Sequence, residues 1–276
     1  MEYREIIEGV RIPVLGLGTW GVGGRKKANR SRDDAEVEAL RAGIELGMTH
    51  IDTAEYYGNG HAEELVGVAI EPYDRIDLFI TTKVWPSHLH YDDLIDSMRA
   101  SLRRLGLDYV DLYLIHWPNP EIPLEETMRA LEHCAKDGYT RHIGVSNFPS
   151  SLVEEAQSHL REHRLVADQV EYSLVEQDPQ SELLPYCQLN DVTLIAYTPI
   201  AKGRLALPGN EVLDGLAEKY GKTQAQVSLN WLIGQEKVVA IPKASNPRHL
   251  QDNVGAVGWR MSEEDSERLA RAFAKV

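Results

Sequence analysis

Apolar positions along the chain switch between two periods almost from end to end. Short apolar runs predict strands at 15–18, 49–52, 76–83, 109–116, 141–145, 166–172, 192–198 and 238–241. Between them, apolar residues recur at helical spacing. Val37, Leu40 and Ile44 share one face of a predicted helix over 33–46, with Ser31 as its N-cap. Leu94, Met98, Leu102 and Leu105 do the same over 92–105, and Gly106 ends that helix. Further helices are predicted at 62–69, 124–136, 150–160, 181–189, 224–233, 247–254 and 262–273, and helical periodicity also resumes near Asn210. Ahead of all these, 3–7 and 10–14 flank Glu8-Gly9 as a hairpin.

Repeated strand–helix units favour a parallel sheet with right-handed crossovers, and eight of them favour closure. No linker or low-complexity tract divides the series. The predicted class is α/β: a (β/α)8 TIM barrel with an N-terminal β-hairpin and an extra C-terminal helix, one domain over residues 1–276. Gly16-Leu17-Gly18-Thr19-Trp20-Gly21 matches the dinucleotide fingerprint G-x-G-x-x-G. That fingerprint works only when a helix opens at its third glycine, where the helix N-terminus meets a pyrophosphate. Here a basic, glycine-rich loop continues to about Arg32 instead. These glycines are expected to let the first βα loop approach a ligand closely.

Composition narrows the partners. Hydrophobic residues make up 43% of the chain, enough for a sizeable core, and five Trp with twelve Tyr argue against disorder. A net charge of −14 argues against nucleic acid, whose phosphates need a surplus of Lys and Arg. Cys134 and Cys187 are too few for a disulfide framework and lack metal-ligand spacing. No apolar stretch approaches the length of a membrane span, and the first residues lack a signal-like apolar run, so a cytoplasmic protein without a membrane partner is expected.

Asp52, Lys83 and His116 each close a predicted strand, and Tyr57 lies five residues past Asp52 on the loop leaving it. Parallel strands converge at their C-terminal ends, so these four meet on one rim. Singly, each is more ordinary as packing or as a solvated rim residue. Together, an acid, a phenol, an amine and an imidazole form equipment for moving a proton.

Several segments then carry a resemblance: Gly16-Leu17-Gly18-Thr19-Trp20, Asp52-Thr53-Ala54-Glu55-Tyr56-Tyr57-Gly58-Asn59 and Thr82-Lys83-Val84-Trp85. To these add Leu114-Ile115-His116-Trp117-Pro118, Ile143-Gly144-Val145-Ser146-Asn147-Phe148 and Ile241-Pro242-Lys243-Ala244-Ser245. In this order, on eight βα units, the chain resembles the aldo-keto reductases. The resemblance implies a barrel that reduces carbonyls with NADPH and without metal or flavin. Tyr57 would donate the proton, Lys83 would lower its pKa, Asp52 would orient Lys83, and His116 would bind the carbonyl oxygen. A non-catalytic, NADPH-binding, redox-sensing subunit of the same fold is the alternative function. The expected partner is a small carbonyl substrate, and the expected assembly is a monomer.

By the same resemblance, Gly18, Thr19 and Trp20 would border the cofactor, and Ser146, Asn147 and Gln169 would hold its carboxamide. Tyr197 would stack on the nicotinamide, with Lys202 and Arg204 able to face the pyrophosphate. At the adenosine end the family pattern is Lys and Ser, then Arg six residues after Lys, then Asn four further on. Lys243, Ser245 and Asn253 fit it, but His249 stands where Arg is usual, with Arg248 just before it. Neutral His offers one donor and no charge, so NADPH preference should be weaker than usual and NADH a weaker alternative cofactor. Trp20, Trp85 and Trp117, three of the five Trp, should wall the carbonyl pocket beside His116. The last helix pattern ends within a few residues of Val276, leaving no long closing loop. An open, shallow pocket for small aldehydes and α-dicarbonyls is therefore expected.

Overall fold

Parallel pairing runs without a break through the eight strands after the hairpin. In the computed structural model, which describes residues 1–274, they are β3 (Leu17–Gly18), β4 (His50–Asp52), β5 (Phe79–Val84), β6 (Val110–Ile115), β7 (Thr140–Ser146), β8 (Leu165–Glu171), β9 (Thr193–Tyr197) and β10 (Val238–Ala240). Each pairs with the next in sequence order. A parallel bridge between Leu15 and Ala240 closes the circle, with Gly16 N–H donating to Ala240 O at 2.9 Å and Ala240 N–H to Val14 O at 2.9 Å. The barrel and its hairpin, β1 (Tyr3–Ile7) and β2 (Val10–Pro13), are therefore as predicted.

Around the barrel stand α1 (Asp33–Glu45), α2 (His61–Ile70), α3 (Tyr91–Leu105), α4 (Leu124–Lys136), α5 (Ser150–Ser158), α6 (Leu183–Leu189), α7 (Glu211–Tyr220), α8 (Gln224–Ile233), α9 (Pro247–Val254) and α10 (Glu263–Phe273). On α3 the predicted stripe of Leu94, Met98, Leu102 and Leu105 is buried, and Gly106 ends the helix at φ 67°. Each such side chain contributes roughly 1.5–3 kcal/mol by leaving water. Inside the barrel, Phe79, Leu112, Leu114, Val166, Ile195 and Val239 form a second core that also includes Ile6 and Ile12 of the hairpin. Phe79 opens β5 and Val166 lies near the start of β8, so the hairpin plugs the barrel at its strand starts. The opposite rim is left for chemistry.

Four local expectations change. Ser31 does not cap α1: its N–H and hydroxyl both bond Asn29 Oδ1, at 3.1 and 2.8 Å. The cap position is Arg32, without a side-chain bond, and Asp33, Asp34 and Glu36 favour the helix dipole in its place. The run from Ile76 begins with a 3-10 turn over Arg75–Asp77, which leaves Ile76 79% exposed, and the strand starts only at Phe79. The predicted 192–198 strand stops at Tyr197, because Thr198 turns to φ 54°. The close approach that Gly16 and Gly18 permit is between strands: a Cβ there would lie 2.6 Å from His50 Nδ1 or 2.7 Å from Ile241 O.

One buried group works against the fold. Strand residues alternate sides, so Asp168 faces away from Gln169, in a fully buried setting where its charge bears on Cys187 of α6. Among the described residues neither carboxylate oxygen meets a partner at full hydrogen-bond geometry, although the nearby Phe148 N–H favours the charged form. Burial wins and pushes the pKa from 3.8 up to about 8. A carboxyl held neutral by folding contributes its stability below the unfolded pKa and loses it as pH climbs toward the folded one. Asp168→Asn should therefore add roughly 1–3 kcal/mol at about pH 8 and far less near pH 4. Thermal unfolding across that range checks it; equal melting shifts at both ends would remove the argument.

Candidate active site

Asp52 ends β4, Lys83 is the fifth residue of β5, and His116 directly follows β6. Register places Asp52 opposite Thr81 and Lys83 opposite Leu114, so the three side chains rise toward one rim. Tyr57 reaches them from the loop after β4. That loop turns through three successive left-handed residues, Gly58 (φ 59°), Asn59 (φ 56°) and Gly60 (φ 90°). It is anchored from behind. Buried Glu63 of α2 accepts from Thr82 Oγ1 and from Arg104 Nε, both at 2.6 Å. A Cβ on Gly60 would strike Arg104 Cδ at 2.6 Å, so the loop packs directly on that pair.

The Lys83 ammonium is fully buried and its three N–H groups all have acceptors. They are Asp52 Oδ1 at 2.6 Å, Thr53 O at 2.9 Å and Tyr57 Oη at 3.3 Å. Because Tyr57 accepts here, its own O–H proton remains to be given elsewhere. Asp52 Oδ2 is occupied too, accepting from Gln169 Nε2 at 2.7 Å. Burial pushes Asp52 up and Lys83 down, each toward its neutral form, and their contact opposes both shifts.

The tuning of Tyr57 differs from expectation. Burial, and then the charge of Asp52, raise its pKa well above 10.0. Lys83, donating to the phenol oxygen, favours the phenolate, but burial and Asp52 outweigh it, so the pKa is not lowered on balance. Tyr57 is thus a firmly protonated phenol. His116 is neutral as well: burial, helped by Lys83, drops its pKa to about 2. Its Nδ1 is buried without a partner among the described residues.

The aromatic wall is only partly the predicted one. Trp85 stacks on Tyr56 at 3.7 Å, and Trp20 lies parallel to Tyr56 at 6.3 Å and edge-on to Tyr57 at 5.0 Å. His116 meets Trp85 edge-on at 5.2 Å and Tyr57 at 5.5 Å. Trp117 is 43% exposed and makes no ring contact among the described residues, so it does not join this set. Tyr56, which sequence reasoning missed, is its centre. Glu55 was missed as well: Oε1 accepts from Trp85 N–H at 2.7 Å and contacts His88 Nδ1 at 2.9 Å, which fixes the Trp85 loop.

The predicted cofactor residues gather on the adjoining arc. Ser146 ends β7 opposite Gln169 of β8, and its hydroxyl donates to Gln169 O at 2.7 Å. Asn147, at φ 63°, donates through Nδ2 to His116 O at 3.0 Å and accepts from Tyr197 Oη at 2.9 Å. Thr19 is buried with its hydroxyl on Asp52 O at 2.9 Å, directly beside Gly18 and Trp20. Lys202 and Arg204 are exposed on the 3-10 turns after β9. Lys243 donates to Ser245 Oγ at 3.3 Å, ahead of α9. His249 is exposed in the first turn of α9, whereas Asn253 is buried near its end with Nδ2 unpartnered among the described residues. Among the described residues, no group of three or more His, Cys, Asp or Glu could hold a metal ion, and no helix is long and apolar enough to cross a membrane.

Known proteins resemble this chain in sequence and fold along nearly its full length. Methylglyoxal reductase YeaE of Escherichia coli is 38% identical over 267 residues, covering 96% of this chain and 92% of that one. The crystal structure of the thermostable aldo-keto reductase Tm1743, solved with the inhibitor epalrestat, superposes with a TM-score of 0.94 at 49% identity, over 99% and 100% of the two chains. An aldo-keto reductase from Klebsiella pneumoniae in complex with NADPH superposes at 0.89 with 36% identity, over 99% and 95%. The model of the aldo/keto reductase family matches residues 14–273. With a barrel of that fold and a match across nearly its whole length, the chain belongs to the aldo/keto reductase family.

Proposed function

We propose that the protein reduces small aldehydes and α-dicarbonyls to alcohols, with NADPH as hydride donor and Tyr57 as proton donor. The observation that carries this is the hydrogen-bond direction at Tyr57. Lys83 donates to the phenol oxygen at 3.3 Å, which leaves the phenol proton for a substrate oxygen. When bound, NADPH supplies the hydride that converts the carbonyl carbon to an alcohol carbon. As negative charge builds on the carbonyl oxygen, Tyr57 passes its proton there, and Lys83 stabilises the phenolate left behind. Asp52 keeps Lys83 charged and aimed. Neutral His116 can give the same oxygen one hydrogen bond without competing as an acid.

The residues present suit NADPH. Buried Asn253 has an amide N–H pair without an acceptor among the described residues, the kind of group an adenosine would satisfy. Gln169 uses its N–H on Asp52, and among the described residues its Oε1 accepts nothing, which leaves it for a carboxamide N–H. Trp20, 44% exposed, leaves the aromatic wall open to water, in keeping with a shallow pocket. The E. coli relative's name, a methylglyoxal reductase, supports an α-dicarbonyl substrate class.

The test follows NADPH absorbance with methylglyoxal, short aliphatic aldehydes and a bulky fused-ring ketone. Methylglyoxal and the short aldehydes should all be reduced, with KM on the order of 1 mM because little substrate surface is buried. The bulky ketone should be poor. Tight KM for that ketone with small aldehydes untouched would reject the open pocket. No NADPH oxidation with any carbonyl would reject the reductase.

A further inference from the structure

The first βα loop gathers charge opposite in sign to the chain's net charge. Arg25, Lys26, Lys27, Arg30 and Arg32 lie within eight residues of a protein whose net charge is −14, and all five are exposed. Arg30 is answered by Glu64 at 3.3 Å and Asp33 at 4.0 Å. Among the described residues the other four have no carboxylate within ion-pair distance. Like charges gathered this way repel, so the cluster is costly unless an anion joins it.

This loop is held, and it is held against the far end of the barrel seam. Gly58 N–H donates to Arg25 O at 2.6 Å, Asn29 N–H to Gly23 O at 2.7 Å, and Gly23 N–H to Glu36 Oε2 at 2.6 Å. Gly18 N–H reaches Pro242 O at 3.4 Å, so the first βα segment lies beside the one that carries Lys243, and α1 packs on α9. Shielding from water lowers the Lys243 pKa, Glu36 raises it, and Arg32 and then Arg25 lower it again. Three cations thus converge where the opposing carboxylate, Glu36, is already engaged by Gly23. On the α9 side, Arg248 is turned about 100° from His249.

We propose that Arg32 and Arg25 reach across from the first βα loop and, with Lys243, grip the 2′-phosphate of NADPH, setting the preference for NADPH over NADH. The inference rests on the cofactor reading above and assigns residues to one phosphate of it. Guanidinium suits the task because its planar fork holds phosphate through two parallel N–H bonds. The loop's internal hydrogen bonds order it before the ligand arrives, which lowers the cost of binding. The α9 helix therefore does not need an arginine of its own at position 249.

Binding, not turnover, tests this. Dissociation constants for NADPH, NADH, adenosine 2′,5′-bisphosphate and 5′-AMP would be measured by calorimetry on the full chain. The variants are Arg32→Gln, Arg25→Gln and, as a control from the same loop that removes more charge than either, the double Lys26→Gln/Lys27→Gln. Each arginine change should weaken NADPH and the bisphosphate about tenfold. NADH and 5′-AMP should be little affected, which also shows that the variants are folded. The lysine double should keep the wild-type ratios. Equal losses for NADPH and NADH, unchanged ratios, or the same loss in the lysine control would each overturn the assignment. Wild-type protein that binds NADPH but ignores the 2′-phosphate would overturn the pocket while sparing the reductase. Wild-type protein that binds neither dinucleotide would reject the cofactor reading itself.

Discussion

Tyr57→Phe should lower kcat for aldehyde reduction by roughly 10²–10⁴-fold while NADPH affinity stays within about twofold. The change removes one oxygen and keeps the ring, so the edge contacts of Tyr57 with Trp20 at 5.0 Å and His116 at 5.5 Å survive. What disappears is the one oriented proton in the site. His116 cannot replace it, since with a pKa of about 2 it carries no extra proton to give near neutrality. Lys83 cannot easily replace it either, because two of its N–H groups are committed to Asp52 and Thr53. The wild-type rate should also show no inflection from either group around neutral pH, since Tyr57 titrates far above that range and His116 far below. Steady-state kinetics and a cofactor titration on the same preparation decide the matter. A variant that keeps nearly full aldehyde reduction would exclude Tyr57 as the donor.

The barrel was legible because its signal is repetitive: eight apolar runs, each followed by an amphipathic stretch, leave few alternative topologies. Boundaries were less so. Ile76 continues an apolar run in sequence, yet the turn at Arg75–Asp77 exposes it, and run length alone cannot see that turn. Asp52, Tyr57, Lys83 and His116 could be found because strand ends converge by construction, and the structure does bring them together. The electrostatics could not be found that way. Whether the pull of Lys83 on the Tyr57 pKa prevails depends on the opposing charge of Asp52 and on how much water is excluded, both of which are three-dimensional quantities. Tyr56 and Trp117 show the same limit for the aromatic wall. Neighbours in sequence to good candidates, they exchange roles once the backbone direction is known: Tyr56 enters the stack and Trp117 faces solvent.

Lys83→Met should cost about 3–5 kcal/mol of stability, and Asp52→Asn a similar amount, because each leaves a buried charge without its partner. Both groups are essentially inaccessible to water, at 0% and 1% exposure, so solvent does not screen the loss. The two effects should not add. In the double variant Asp52→Asn/Lys83→Met neither member of the pair is left as an unpartnered buried charge, and stability should recover much of the way to wild type. Activity should not recover with it. The phenol oxygen has lost the ammonium that stands 3.3 Å away, and with it the stabilisation of the phenolate formed on proton transfer. The singles and the double should therefore separate on two axes: stability restored, kcat still down by roughly 10²-fold or more. Chemical denaturation and kinetics on all four proteins complete the cycle. If the double were as unstable as the sum of the singles, the pair would be acting on the fold through something other than mutual neutralisation. If instead its kcat returned together with its stability, Lys83 would be a structural group and not part of the proton transfer.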